Sequence, residues 1–142
     1  MQAFASQLAR EILRPPATSF KKGGSATVIA LVGNLGAGKT TFAQGFLKAL
    51  GVQRQVISPT FLIIKPYALR KLAHTRAFHI DCYRLEKPQE LLALGLKDIL
   101  KNPEHLVLIE WPELVKKYLP KHTRWITIEH SKKGTTRTVT IS

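Results

Sequence analysis

The sequence predicts an α/β domain of three layers, with helices on both faces of a mixed central sheet. Three observations carry that prediction. Short apolar runs at residues 27–32, 77–81 and 106–109 read as strands and alternate with segments of helical periodicity. The first run leads at once into Gly33-Asn34-Leu35-Gly36-Ala37-Gly38-Lys39-Thr40, a G-x-x-x-x-G-K-T turn, and then into a helix. The last part of the chain changes register to two alternating runs around Lys132-Lys133-Gly134, the pattern of a hairpin.

Taken in order, residues 3–13 read as an amphipathic helix with Phe4, Leu8, Ile12 and Leu13 on one side, ending before Pro15-Pro16. Residues 15–25 are polar and rich in Pro, Gly and Lys, which reads as a linker. Residues 27–32 form a buried strand. Residues 39–50 form a helix whose stripe is Phe42, Phe46, Leu47 and Leu50, with Gly51 as its stop. Residues 56–64 suggest strand broken by a turn at Ser58-Pro59-Thr60. A basic loop over 65–76 then joins this run to a strand at 77–81, as an antiparallel pair. Pro88 opens a helical stretch that Gly95 divides in two. Leu106-Val107-Leu108-Ile109 has no polar alternation and so reads as a central strand buried on both faces. Residues 112–119 form a short helix stopped by Pro120, and 125–128 and 136–141 are the hairpin strands. The organisation is one domain over 1–142: helix 1–14, linker 15–26, core 27–142.

The 142 residues suffice for one buried core. No apolar run approaches the roughly 18 residues that span a bilayer, and residues 1–5 do not open like a secretory signal. The single cysteine, Cys82, allows a reducing compartment. The expectation is a cytoplasmic protein with no membrane partner. The net charge of +13 is uneven: residues 1–76 carry eleven Lys/Arg and one acid, residues 77–142 eleven Lys/Arg and eight acids. The excess positive charge favours RNA or an acidic protein face as a partner.

The glycine turn is a phosphate-binding P-loop. Backbone N–H groups over residues 35–41 face a polyphosphate, Lys39 reaches its distal phosphates, and the Thr40 hydroxyl ligates Mg²⁺. Asn34, Leu35, Gly36, Ala37, Gly38, Lys39, Thr40 and Thr41 are therefore the predicted nucleotide contacts, and the fold becomes a P-loop NTPase-like sandwich. Such a site needs an acid at a neighbouring strand end. Asp81 and Glu110 both qualify, Asp81 to hold the Mg²⁺ shell and Glu110 to contact Mg²⁺ or the attacking water. Thr60 lies where a switch segment would meet the metal. Arg84 follows Asp81 closely enough to approach a phosphate, or else forms an ordinary ion pair, and Trp111 beside Glu110 lies near the nucleotide or in the core. His74 and His79 are read as packed or solvated, not catalytic.

Four blocks, GNLGAGKTTF from Gly33, VISPTF from Val56, HIDCYRL from His79 and EWP from Glu110, stand in this order and together closely resemble the TsaE (YjeE) family of small bacterial ATPases. The resemblance implies ATP and Mg²⁺ as cofactors and strengthens Thr60 as a metal contact. It also supports Lys39, Asp81 and Glu110 as catalytic residues, with Thr40, Thr60, Asp81 and Glu110 as the metal set. It implies a role in forming N6-threonylcarbamoyl-adenosine at position 37 of tRNAs that read codons beginning with A. The implied partners are the TsaD–TsaB heterodimer and tRNA, met directly or through that complex. Hydrolysis would reset the complex between turnovers. A small-molecule kinase and a nucleotide-gated RNA-binding module are the two other classes compatible with the same P-loop.

Overall fold

The computed structural model describes residues 1–12, 24–53, 63–70, 74–132, 134 and 136–142. Its strands are β1 (Thr27–Val32), β2 (Ile64–Ala68), β3 (Arg76–Asp81), β4 (His105–Glu110), β5 (Arg124–His130) and β6 (Arg137–Ile141). Its helices are α1 (Gln2–Ile12), α2 (Lys39–Ala49), α3 (Pro88–Ala93) and α4 (Leu96–Lys101), with a 3₁₀ helix at Pro112–Tyr118. The strands form one sheet in the order β2-β3-β4-β1-β5-β6. β3, β4, β1 and β5 are parallel; β2 and β6 close the two edges antiparallel.

Each face of the sheet buries its own core. On one, Ile29, Leu31, Leu106, Leu108 and Ile126 pack under Phe42, Phe46 and Leu47 of α2 and Ala5, Leu8 and Ala9 of α1. On the other, Val28, Ala30, Phe78, Ile80, Val107 and Ile109 meet Leu91 of α3, Leu96 and Leu100 of α4, and Val115. Side chains alternate between faces along a strand, so a central strand covered on both sides must be apolar at consecutive positions. That is why β1 and β4 lack polar alternation. Each fully buried Leu or Ile there contributes about 1.5–3 kcal/mol of transfer free energy. The three-layer α/β class with a mixed sheet is the one predicted.

Several boundaries differ from the sequence reading. Part of the basic segment is strand: Lys65, Pro66, Tyr67 and Ala68 belong to β2. Pro66 masked this, yet β2 is an edge strand, where a missing N–H costs no ladder bond. The α1 face that packs is Ala5, Leu8 and Ala9, while Phe4 remains 37% exposed. Packed chain resumes within the span assigned to the linker: Ala26 is buried and its N–H donates to the Leu100 carbonyl. Leu13, most of the linker and the segment with Ser58, Pro59 and Thr60 lie outside the described residues. Among the described residues no helix is long and apolar enough to cross a membrane.

Candidate functional site

Parallel pairing brings the carboxyl ends of β1, β3 and β4 to one edge, where ligands of open α/β sheets bind. Leu31 is the register partner of Glu110, and Glu110 of Asp81. From β1 the chain turns through residues 33–38 into α2. A Cβ on Gly33 would come within 2.5 Å of the Ile128 carbonyl oxygen in β5, so only glycine lets the loop leave the sheet here. Gly38, the residue before α2, sits at φ 111°, the left-handed region that other residues avoid. No side chain caps α2. Its first-turn N–H groups and positive dipole end therefore face the same edge.

Lys39 opens α2 and is only 5% exposed. Its ammonium donates to the carbonyls of Gly33 (2.6 Å) and Asn34 (2.9 Å) and lies 4.1 Å from the centre of the Trp111 ring. Burial pulls its pKa below the ordinary lysine range, against the opposing pull of Glu110, Asp81 and Glu113. Thr40, next on α2, donates from its hydroxyl to Glu110 Oε1 at 2.9 Å. The other carboxylate oxygen, Oε2, accepts from His79 Nε2 at 2.6 Å. Glu110 is itself 2% exposed. Asp81 is half-buried, and one of its oxygens accepts the Tyr83 backbone N–H at 2.9 Å. The Tyr83 ring continues the aromatic wall, 5.1 Å from Trp111. Trp111 is the one non-glycine residue with positive φ among the described residues, at 55°.

These groups border a cavity of about 410 Å³. Of the predicted site residues, Leu35, Gly36, Gly38, Lys39, Thr40, Thr41, Asp81, Arg84, Glu110 and Trp111 all line it. Asn34 contributes its carbonyl to Lys39, and the buried Ala37 closes the loop by donating its N–H to Asn34 O at 3.0 Å. Thr60 lies outside the described residues. Two residues of the site were not picked out as functional from the sequence. Arg137, at the start of β6, also lines the cavity; its Nε donates to Ala37 O at 2.6 Å, and its terminal nitrogen reaches Gly36 O at 3.4 Å. His79 is completely buried against Glu110 instead of merely packed. Among the described residues no group of three His, Cys, Asp or Glu side chains converges as a metal cage. The oxygens present suit a cation that keeps waters and phosphate oxygens in its shell, which is magnesium's habit.

The family model described as "Threonylcarbamoyl adenosine biosynthesis protein TsaE" matches residues 1–139. Curated proteins described as "tRNA threonylcarbamoyladenosine biosynthesis protein TsaE" are similar to the chain. That of Haemophilus influenzae is 37% identical over 105 residues, 74% of this chain and 64% of the relative. That of Bacillus subtilis is 41% identical over 113 residues, 80% of this chain and 66% of the relative. That of Rickettsia bellii is 39% identical over 108 residues, 72% of each. The chain thus spans about two thirds of the length of these relatives. The crystal structure of Bacillus subtilis YdiB superposes with a TM-score of 0.68 at 29% identity, covering 99% of this chain and 79% of that one.

Proposed function

The chain belongs to the TsaE family of threonylcarbamoyl adenosine biosynthesis proteins, and on that premise we propose that it is a Mg²⁺-dependent ATPase subunit of the tRNA threonylcarbamoyl-adenosine pathway. It acts on a TsaD–TsaB complex, which modifies adenosine 37 of tRNAs reading codons that begin with A. The carrying observation is Glu110, a buried carboxylate bonded to the hydroxyl of the P-loop threonine at the open end of the sheet.

The residues fit a magnesium nucleotide. Thr40 Oγ1 and Glu110 Oε1 are 2.9 Å apart. Both are hard oxygen donors at the open edge of the sheet, of the kind that would hold Mg²⁺ beside its waters and phosphate oxygens. When bound, the ion neutralises charge on the phosphate oxygens. Thr40, Asp81 and Glu110 would hold it, together with Thr60. The P-loop N–H groups and Lys39 bind and orient the polyphosphate. Trp111, with the exposed Tyr83 ring against it, covers one wall. Glu110 orients the attacking water by accepting its hydrogen bond. Arg84 is exposed at the mouth, where it would meet phosphate or partner. Turnover alone is slow, and a cation supplied by the partner raises it, an effect of about 10³–10⁵-fold in other P-loop enzymes.

Following γ-labelled ATP tests the reading. Release of inorganic phosphate, stimulated by TsaD–TsaB, supports it; phosphate carried to a small-molecule acceptor means a kinase. Lys39→Ala should lose nucleotide affinity, and Glu110→Ala should keep affinity and lose hydrolysis. Depleting the protein in cells should remove threonylcarbamoyl-adenosine from tRNA nucleosides, restored by wild type and not by Lys39→Ala. Turnover that is fast alone and indifferent to TsaD–TsaB would refute the proposal.

A further inference from the structure

We propose that His79 is the positioning residue of this site: its Nε2–H fixes the Glu110 carboxylate so that Oε1 stays aligned with Thr40. The proposal rests on the ATPase reading above and deepens it.

His79 occupies a row of the sheet that is otherwise core. It shares the α2 face with Ala77 on its own strand, and its register partner on β4 is Leu108. A position flanked by Ala77 and Leu108 calls for an apolar side chain. An imidazole with no exposed surface stands there instead. Its only hydrogen bond among the described residues is the 2.6 Å contact to Glu110, and Nδ1 has no partner there. A carboxylate only accepts, so Nε2 carries the proton and donates. One Glu110 oxygen is thereby occupied from below, within the sheet, and the other is left to Thr40 and to whatever binds at the open edge. Metal-binding sites commonly use such a partner behind the ligand to set its rotamer. His79 touches neither phosphate nor water in this scheme, so it acts through Glu110 alone.

His79→Leu keeps the volume and removes the donor; His79→Gln keeps an amide donor at similar reach. The expected result for His79→Leu is a fall in kcat of about 10–100-fold, the range for lost partners behind a ligand. The Mg²⁺-dependent gain in ATP affinity should fall with it, while affinity measured in EDTA stays at the wild-type value. His79→Gln should recover most of both. A double-mutant cycle keeps the test sharp if His79→Leu folds poorly: His79→Asn, whose shorter amide falls short of Glu110, should impair the wild-type background and add no further loss in a Glu110→Gln background. Wild-type kcat and Mg²⁺ dependence in His79→Leu, equal impairment of the Leu and Gln variants, or additivity in the cycle would each overturn the proposal. Failure of the ATPase reading is a separate outcome, seen as a wild-type protein that does not hydrolyse ATP. The contact is then read without nucleotide, by long-range ¹H–¹⁵N spectra of the histidine rings. Hydrogen on His79 Nε2 in wild type, with that state lost in Glu110→Ala, supports the positioning role; a wild-type ring with no hydrogen on Nε2 refutes it.

Discussion

Trp111 carries a cost that its surroundings explain. A bulky residue at φ 55° is strained by about 1–3 kcal/mol. The strain turns the chain from β4 into Pro112 and swings the indole over the Lys39 ammonium. Such a contact contributes about 0.5–2 kcal/mol, which is roughly a 2- to 30-fold effect on an equilibrium. Trp111→Asn keeps a residue that tolerates the left-handed region and removes the ring. The expected outcome is a weaker ATP affinity within that range, with Tm changed by only a few degrees because strain relief offsets lost packing. Unchanged affinity in a nucleotide titration, or a collapsed Tm, would contradict it. Cys82 shows the opposite kind of residue. Burial pushes its thiol up to about 12, helped by Asp81 and Glu113, so it stays protonated and inert beside the site. The sequence made Lys39, Thr40 and the loop glycines legible because their chemistry is contiguous. It hid His79, since a histidine on a strand looks the same whether it packs on leucine or grips a carboxylate. Only the pairing of β3 with β4 decides which.

At the scale of elements, periodicity was a good guide wherever one face alone is buried. The α2 stripe of Phe42, Phe46, Leu47 and Leu50 is the buried one, and Gly95 does separate α3 from α4. On α1 the predicted Leu8 is buried, but Phe4 stays 37% exposed, and close approach through small residues carries much of the packing. Ala5, Leu8 and Ala9 go inward, and the helix start sits directly on Gly45 of α2. A Cβ at Gly45 would stand 2.7 Å from the Gln2 Cα and 2.9 Å from its carbonyl oxygen. Both are backbone or near-backbone atoms that cannot turn aside. Gly45→Ala therefore sets two effects against each other. Helix propensity gains about 1 kcal/mol, while wedging α1 outward costs about 1–3 kcal/mol. Steric cost should win, lowering Tm by several degrees in thermal unfolding. A raised Tm would mean that α1 yields without loss and is only loosely docked.

The whole molecule assembles its site from segments that no local pattern connects. Arg137 reaches the P-loop from 100 residues away, and only closure of the β5–β6 hairpin beside β1 puts it there. Removing it in Arg137→Ala frees the Ala37 and Gly36 carbonyls, and ATP affinity should fall by about tenfold. That corresponds to about 1.4 kcal/mol, near the lower limit for hydrogen bonds to charged groups because the side chain is exposed. Lys should not replace it, lacking the fork that meets two carbonyls. His74 ties together another distant pair, bonding through Nε2 to the Thr27 hydroxyl at the base of β1. It is 2% exposed, and burial lowers its pKa from the ordinary 6.5. Below that value the unfolded chain takes up a proton that the folded protein resists. Stability is fully present above about 6.5 and is drawn down as pH falls from there through the folded pKa. Thermal unfolding between pH 7.5 and 5.5 should show Tm flat at first and then declining. In His74→Gln, which cannot titrate, the decline should be shallower. Parallel curves for the two proteins would place the pH sensitivity elsewhere and leave His74 a neutral spacer in both states.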